Sequence, residues 1–207
     1  MNTVEIIGRS SSLYTRMALI FAHELGVAVQ LAPVADMTAL GRQAYADNPA
    51  LKLPILRTPG GVLFGAQNIC RAIAERAARP ARIVWPEELR DDLSRNAQEL
   101  VGHCMGAQVQ LIIGTLVSKL PADNIFFVKA RAGLEGSLHW LDAHLDGALH
   151  VLPTPRDLSM FEVSLFCLIE HLAFRGTVAV EPYPSLGRFA AQFADRPSAR
   201  HTSYQYD

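Results

Sequence analysis

The chain has 207 residues, half of them hydrophobic, and a formal net charge of -1. That length supplies one large or two small cores, so folding needs no metal or disulfide. The near-neutral charge gives no long-range attraction toward nucleic acid or an anionic membrane. Cys70, Cys104 and Cys167 are odd in number, far apart and set in apolar stretches, which points to reduced thiols and a cytoplasmic setting. Met1 leads straight into a strand-like run with no leader pattern. The most apolar segments, 109–117 and 163–173, are too short to span a bilayer, so neither membrane nor nucleic acid is expected as a partner.

Thr3 to Ile7 is a short β-rich run. Leu13 to Leu25 places apolar residues at Leu13, Met17, Ile20, Phe21 and Leu25, and Gly26 follows where a helix C-terminal glycine belongs. Val27 to Leu31 is expected as a second strand and Asp36 to Ala46 as a weak short helix. Pro54 stands inside the apolar run Leu53 to Leu56. A proline cannot donate to a strand ladder, so it marks an edge, a bulge, a strand's first residues or a cis bond at a special turn. Such a turn leaves the backbone of Leu53 free to pair with something else. Pro59-Gly60-Gly61 signals a turn, Val62 to Phe64 a further strand, and Ala66 to Ala77 a helix.

Arg79 to Arg82 and Trp85-Pro86 break the pattern as a linker, after which strands nearly vanish. Glu87 to Leu120 is expected as one long amphipathic helix, Asp123 to Leu145 as a second, and Met160 to Phe174, apolar nearly all round, as a buried central helix. Ser185 to Ala194 closes the series, and Asp195 to Ser198 ends it. Ser159-Met160-Phe161-Glu162 has the spacing of a capping box, a structural device. The seven histidines include no pair at the spacing of a zinc helix motif, so no metal is expected. Packing is the expected role for His103 and Met105.

The loop Gly8 to Ser12 joins the first strand to the first helix, so one of its serines should cap that helix. A thiol brought to a helix start ionises more readily, and a hydroxyl donating to the sulfur helps further. The run Ser12-Leu13-Tyr14-Thr15-Arg16 resembles the Ser-Pro-Phe/Tyr-x-Arg segment of serine-type glutathione transferases, with Leu13 in the place of the proline. Lys52-Leu53-Pro54 is similar to the family's Lys-Val-Pro, and the order strand, turn, strand, helix resembles its glutathione-binding half.

The resemblance implies an α/β plus all-α fold: a thioredoxin-like domain over 1–78 (βαβαββα), a linker over 79–86 and an all-helical domain over 87–207. It further implies a bacterial cytosolic glutathione transferase-like enzyme that joins glutathione, as co-substrate, to a small hydrophobic electrophile, and that forms a homodimer. In this correspondence Ser12 holds the glutathione sulfur, although a plain helix cap is the alternative for that residue. Tyr14, Ser10 and Ser11 are reserves. Leu53, before Pro54, meets the cysteinyl part through its backbone, and Lys52 meets the glycine carboxylate or lies in solvent. The amides of Ala66 and Gln67 receive the γ-glutamyl end. After Phe64 the family has an acidic residue or glutamine and then serine or threonine, whereas this chain has Gly65-Ala66. That departure motivates a second expectation, a non-catalytic dimeric binding or regulatory protein of the same fold.

Overall fold

The computed structural model describes residues 4–34 and 36–206. Two compact units divide them: one holds 4–81 together with 194–206, the other 82–193.

The first unit is built on a four-stranded mixed sheet in the order β2-β1-β3-β4, formed by β1 (Val4–Gly8), β2 (Val29–Pro33), β3 (Ile55–Thr58) and β4 (Gly61–Phe64). β1 and β2 run parallel, connected by helix α1 (Leu13–Glu24), and β3 and β4 are antiparallel additions. Side chains alternate across the sheet. Ile7 and Ile55 form a cluster with Val34 and Tyr45 on one face, so Ile6 and Leu56, both fully buried, belong to the other. Helix α2 (Ala66–Ala74) packs on β3 and β4 and beside α1. Its Ile69, Cys70 and Ile73 are fully buried.

Two expectations need correction here. The residues expected as a helix, 36–46, instead form a loop with a single 3-10 turn, Arg42–Tyr45. Asp36 accepts hydrogen bonds from the backbone N–H and hydroxyl of Thr38 at 2.8 and 2.7 Å, a local turn that competes with helical pairing. The 3-10 turn ends in left-handed backbone at Ala46 and Asp47. Its one buried residue is Tyr45, whose hydroxyl donates to the Met37 carbonyl at 3.0 Å. The third strand begins at Ile55 rather than Leu53, because Pro54 has no N–H to give the ladder.

The second unit contains helices α3 (Asp92–Leu111), α4 (Ile125–His150), α5 (Met160–Arg175) and α6 (Pro184–Ala194, whose last residue falls with the first unit). The expected helix over 87–120 is divided. Pro86–Glu88 is a 3-10 turn, Asp91 caps α3 by accepting from Leu93 N–H at 2.8 Å, and Ile112–Val117 continues α3 as a π-helical segment. Gly114 lies in that segment against the Phe127 ring, where a Cβ would come within 2.2 Å of ring carbons. By length and composition the run 92–117, which contains the apolar segment 109–117, is long and apolar enough to cross a bilayer. Ala97, Val101, Cys104, Met105 and Leu111 within it are buried in this unit.

Helix α5 is the buried centre, as its all-round apolar sequence predicts. Ser159 caps it, accepting from Glu162 N–H at 3.1 Å, and the Glu162 carboxylate also meets Arg156 at 3.0 and 3.1 Å. A two-residue parallel pair that the sequence pattern does not reveal, β5 (Ile83–Val84) with β6 (Leu158–Ser159), leads into this cap. The three cysteines are free and buried. Burial pushes the Cys104 thiol up to about 12, which leaves it protonated and unreactive at neutral pH.

Residues 194–206, read from sequence as the end of the helical region, pack with the first unit. They include a further short helix, α7 (Pro197–His201), where Pro197 occupies the first helical position instead of acting as a stop. Arg196 meets Glu24 at the end of α1 with two bonds of 2.8 and 2.9 Å. This pairing, ahead of a smaller contribution from the Ser198 hydroxyl, holds the Glu24 carboxyl below its ordinary value of 4.5 despite partial burial. A carboxyl lowered in the folded state adds stability that is complete above the unfolded value and is lost as pH falls through the folded one. Thermal denaturation from pH 7 down to pH 3 should therefore show the protein losing more Tm than its Glu24→Gln variant, with the difference appearing below about pH 5.

Candidate functional site

The registers of the sheet bring three loop segments to one end. Ile7 in β1 stands opposite Ile55 in β3, which stands opposite Phe64 in β4. The residues just past Ile7, just before Ile55 and just past Phe64 therefore leave the sheet together. They are the loop from Gly8 to Ser12, the pair Leu53-Pro54, and Gly65 with the start of α2. Gly65 N–H bonds the Pro54 carbonyl at 3.3 Å, tying two of the three segments directly.

Ser12 is the N-cap of α1. Its Oγ accepts from Thr15 N–H at 3.3 Å, and the hydroxyl hydrogen has no acceptor among the described residues. A hydroxyl has one donor and two acceptor sites, so Ser12 can cap the helix and still donate outward. The loop leading to it is held tightly. Thr15, fully buried, accepts from Arg9 N–H at 3.3 Å. A Cβ on Gly8 would come within 2.6 Å of the Thr15 hydroxyl oxygen, so only glycine fits. Tyr14 is half-buried, and its burial pushes the phenol up, away from ionisation. Ser11 is buried and Ser10 half-buried.

The Leu53–Pro54 peptide bond is cis, and the backbone of Leu53 has no hydrogen-bond partner among the described residues. Lys52 is exposed, and its carbonyl accepts from Asn48 Nδ2 at 2.8 Å. Asn48, buried to 4% exposure, also accepts from Ala50 N–H at 3.0 Å. It therefore folds the 48–52 loop onto itself and sets the approach to Pro54. This residue was not singled out from sequence, although Asn48-Pro49 is a turn signal.

Gly65 has φ +86 and ψ 139, outside the range of L side chains, and α2 begins there without a side-chain cap. The first-turn amides of Ala66 and Gln67 thus stand at a positive helix end with no local carboxylate or hydroxyl to satisfy them. Gln67 and Asn68 are exposed, and Asn68 Nδ2 bonds the Phe64 carbonyl at 3.1 Å. Of the residues expected at the site from sequence, Ser12, Leu53, Pro54, Ala66 and Gln67 lie on these three segments, and exposed Lys52 directly precedes the second.

Residues 11–76 match the family described as glutathione S-transferase, N-terminal domain. The first unit carries a glutathione S-transferase N-terminal domain. The whole chain also has the glutathione transferase fold. It aligns over 100% of its length with 97% of a glutathione S-transferase from Methylobacterium radiotolerans in complex with glutathione sulfonate, at TM-score 0.79 and 18% identity. A Pseudomonas fluorescens family member with bound glutathione aligns over 98% of this chain and 99% of its own, at TM-score 0.75 and 21% identity. One from Methylobacillus flagellatus, also with glutathione bound, covers 98% of this chain and 100% of its own, at TM-score 0.74 and 19% identity. Curated protein sequences give no match.

Outside this glutathione S-transferase N-terminal domain, the residues weighed from sequence take structural or solvated positions. Met105 is buried, whereas His103 is exposed with Glu99 Oε1 at 3.2 Å. His144 stacks on Trp140. Among the described residues no cluster of histidine, cysteine or acidic side chains could hold a metal.

Proposed function

We propose that the protein is a glutathione transferase-like enzyme in which the first unit binds glutathione and Ser12 keeps its sulfur anionic. The observation that carries this reading is the meeting, at one sheet end, of three unmatched groups: a hydroxyl hydrogen at Ser12, the backbone of Leu53, and the uncapped amides of Ala66 and Gln67. Their chemistry suits a thiol, a peptide and a carboxylate in turn. The bound tripeptide would pair its cysteinyl backbone with Leu53, direct its γ-glutamyl carboxylate to the start of α2, and offer its glycine carboxylate to Lys52.

The Ser12 hydroxyl then donates to the sulfur, and the positive end of α1 adds to the stabilisation of the thiolate. The thiol proton passes to solvent. The thiolate forms a carbon–sulfur bond with a small hydrophobic electrophile, displacing a leaving group or adding to an activated double bond. In this reading the enzyme is a cytoplasmic homodimer, and the relatives crystallised with glutathione support glutathione as its co-substrate.

The Gly65-Ala66 pair favours a second reading, a non-catalytic dimeric binding or regulatory protein, because it removes two side-chain partners of the γ-glutamyl end. Titration calorimetry with glutathione decides between them. Micromolar binding supports the enzyme. Millimolar or absent binding supports the regulatory protein.

A further inference from the structure

The last residues of the chain return to α1 and fasten it at two levels. At its far end Glu24 takes both bonds from Arg196 and a third from the Ser198 hydroxyl, and His23 stacks on His201 at 4.7 Å between ring centroids. One turn inside the amino end, Arg16 is 3% exposed. Its Nη2 donates to the Ala199 carbonyl at 3.1 Å, and its guanidinium lies 4.3 Å from the centre of the Tyr204 ring. A buried guanidinium is tolerated only where fixed acceptors and an aromatic face replace its water. Here the carboxyl-terminal segment supplies both, so the pose of Arg16 depends on that segment being in place. Arg16 N–H in turn bonds the carbonyl of Ser12 at 3.0 Å, which connects this anchor to the cap.

We propose that residues 194–206 form a clasp that sets the pose of the first turn of α1, with Arg16 and Tyr204 as positioning residues for the Ser12 hydroxyl. The link to Ser12 chemistry rests on the glutathione reading above; the clasp itself does not. A segment far from Ser12 in sequence thereby tunes how well its hydroxyl meets a thiolate, without touching substrate.

The test compares Tyr204→Ala and Tyr204→Phe in the full-length protein by two measurements. In the free protein, amide hydrogen exchange over 13–16 should quicken by about 3- to 30-fold in Tyr204→Ala. Exchange in β3 should not change, and Tyr204→Phe, which keeps the ring, should match the parent. In glutathione conjugation, Tyr204→Ala should move the ionisation limb of the pH–rate profile upward and lower kcat at neutral pH with KM for glutathione unchanged, again with recovery in Tyr204→Phe. Unaltered exchange over 13–16 in Tyr204→Ala overturns the clasp. Quickened exchange with an unmoved pH profile overturns the positioning role. If no variant and not the parent turns over glutathione, the functional reading fails, and the exchange comparison alone decides the clasp.

Discussion

Replacing Ser12 by alanine is expected to lower kcat/KM for glutathione conjugation at neutral pH by on the order of 10- to 100-fold, with glutathione affinity nearly unchanged. The magnitude follows from the hydrogen bond at stake, which joins a neutral donor to an anionic sulfur and contributes about 1.5–3 kcal/mol. The sign with pH is fixed by which form the bond favours. Donation stabilises the thiolate, so its loss raises the pKa of the bound thiol, and the rate should recover as pH rises. Ser12 also caps α1, and loss of a serine cap costs about 0.5–2 kcal/mol of stability by itself. Ser12→Asp separates the two roles. Aspartate caps a helix as well as serine but has no hydrogen to give and places a negative charge beside the sulfur. It should retain the Tm and lose the turnover. A Ser12→Ala enzyme with an unaltered pH–rate profile would remove Ser12 from the chemistry and leave it a helix cap.

What the sequence discloses and what it hides follow from the range over which each signal acts. The first helix, the turn at 59–61 and the central helix of the second unit are written in local spacing, and all appear where expected. The Ser12 cap and the break at Pro54 are equally local. Three features escape because their cause is elsewhere in the chain. The pair Ile83–Val84 with Leu158–Ser159 has two residues a side and joins segments 75 positions apart, so neither half carries a period of its own. The residues 36–46 contain acceptable helix formers, yet the Asp36 side chain turns the backbone before a helix can nucleate. Pro197 looks like a terminator, and only the return of the chain to α1 makes it the first residue of another helix. At the site, the composition of Gly65-Ala66 is plain in the sequence. Its reason is not, since φ +86 at Gly65 is a property of how β4 hands over to α2.

That backbone angle shapes a gain-of-function result expected at the same place. Ala66→Ser adds a hydroxyl at the first position of α2, beside the amides proposed to receive the γ-glutamyl carboxylate, and should tighten glutathione binding by on the order of 10- to 100-fold. The estimate is again a hydrogen bond to a charged group, about 1.5–3 kcal/mol. Ala66 is buried to 8% exposure, and serine is close enough in size to enter without displacing its neighbours. Gly65→Gln, by contrast, should yield no comparable gain. Any L residue at φ +86 is strained by about 1–3 kcal/mol, which offsets whatever the new amide contributes at the ligand. Calorimetry on the two single variants therefore tests the location of the γ-glutamyl end and the role of Gly65 together. Equal affinity in the parent and Ala66→Ser places that end of the tripeptide away from α2. Tight binding by Gly65→Gln shows that the backbone there yields more readily than its angle implies.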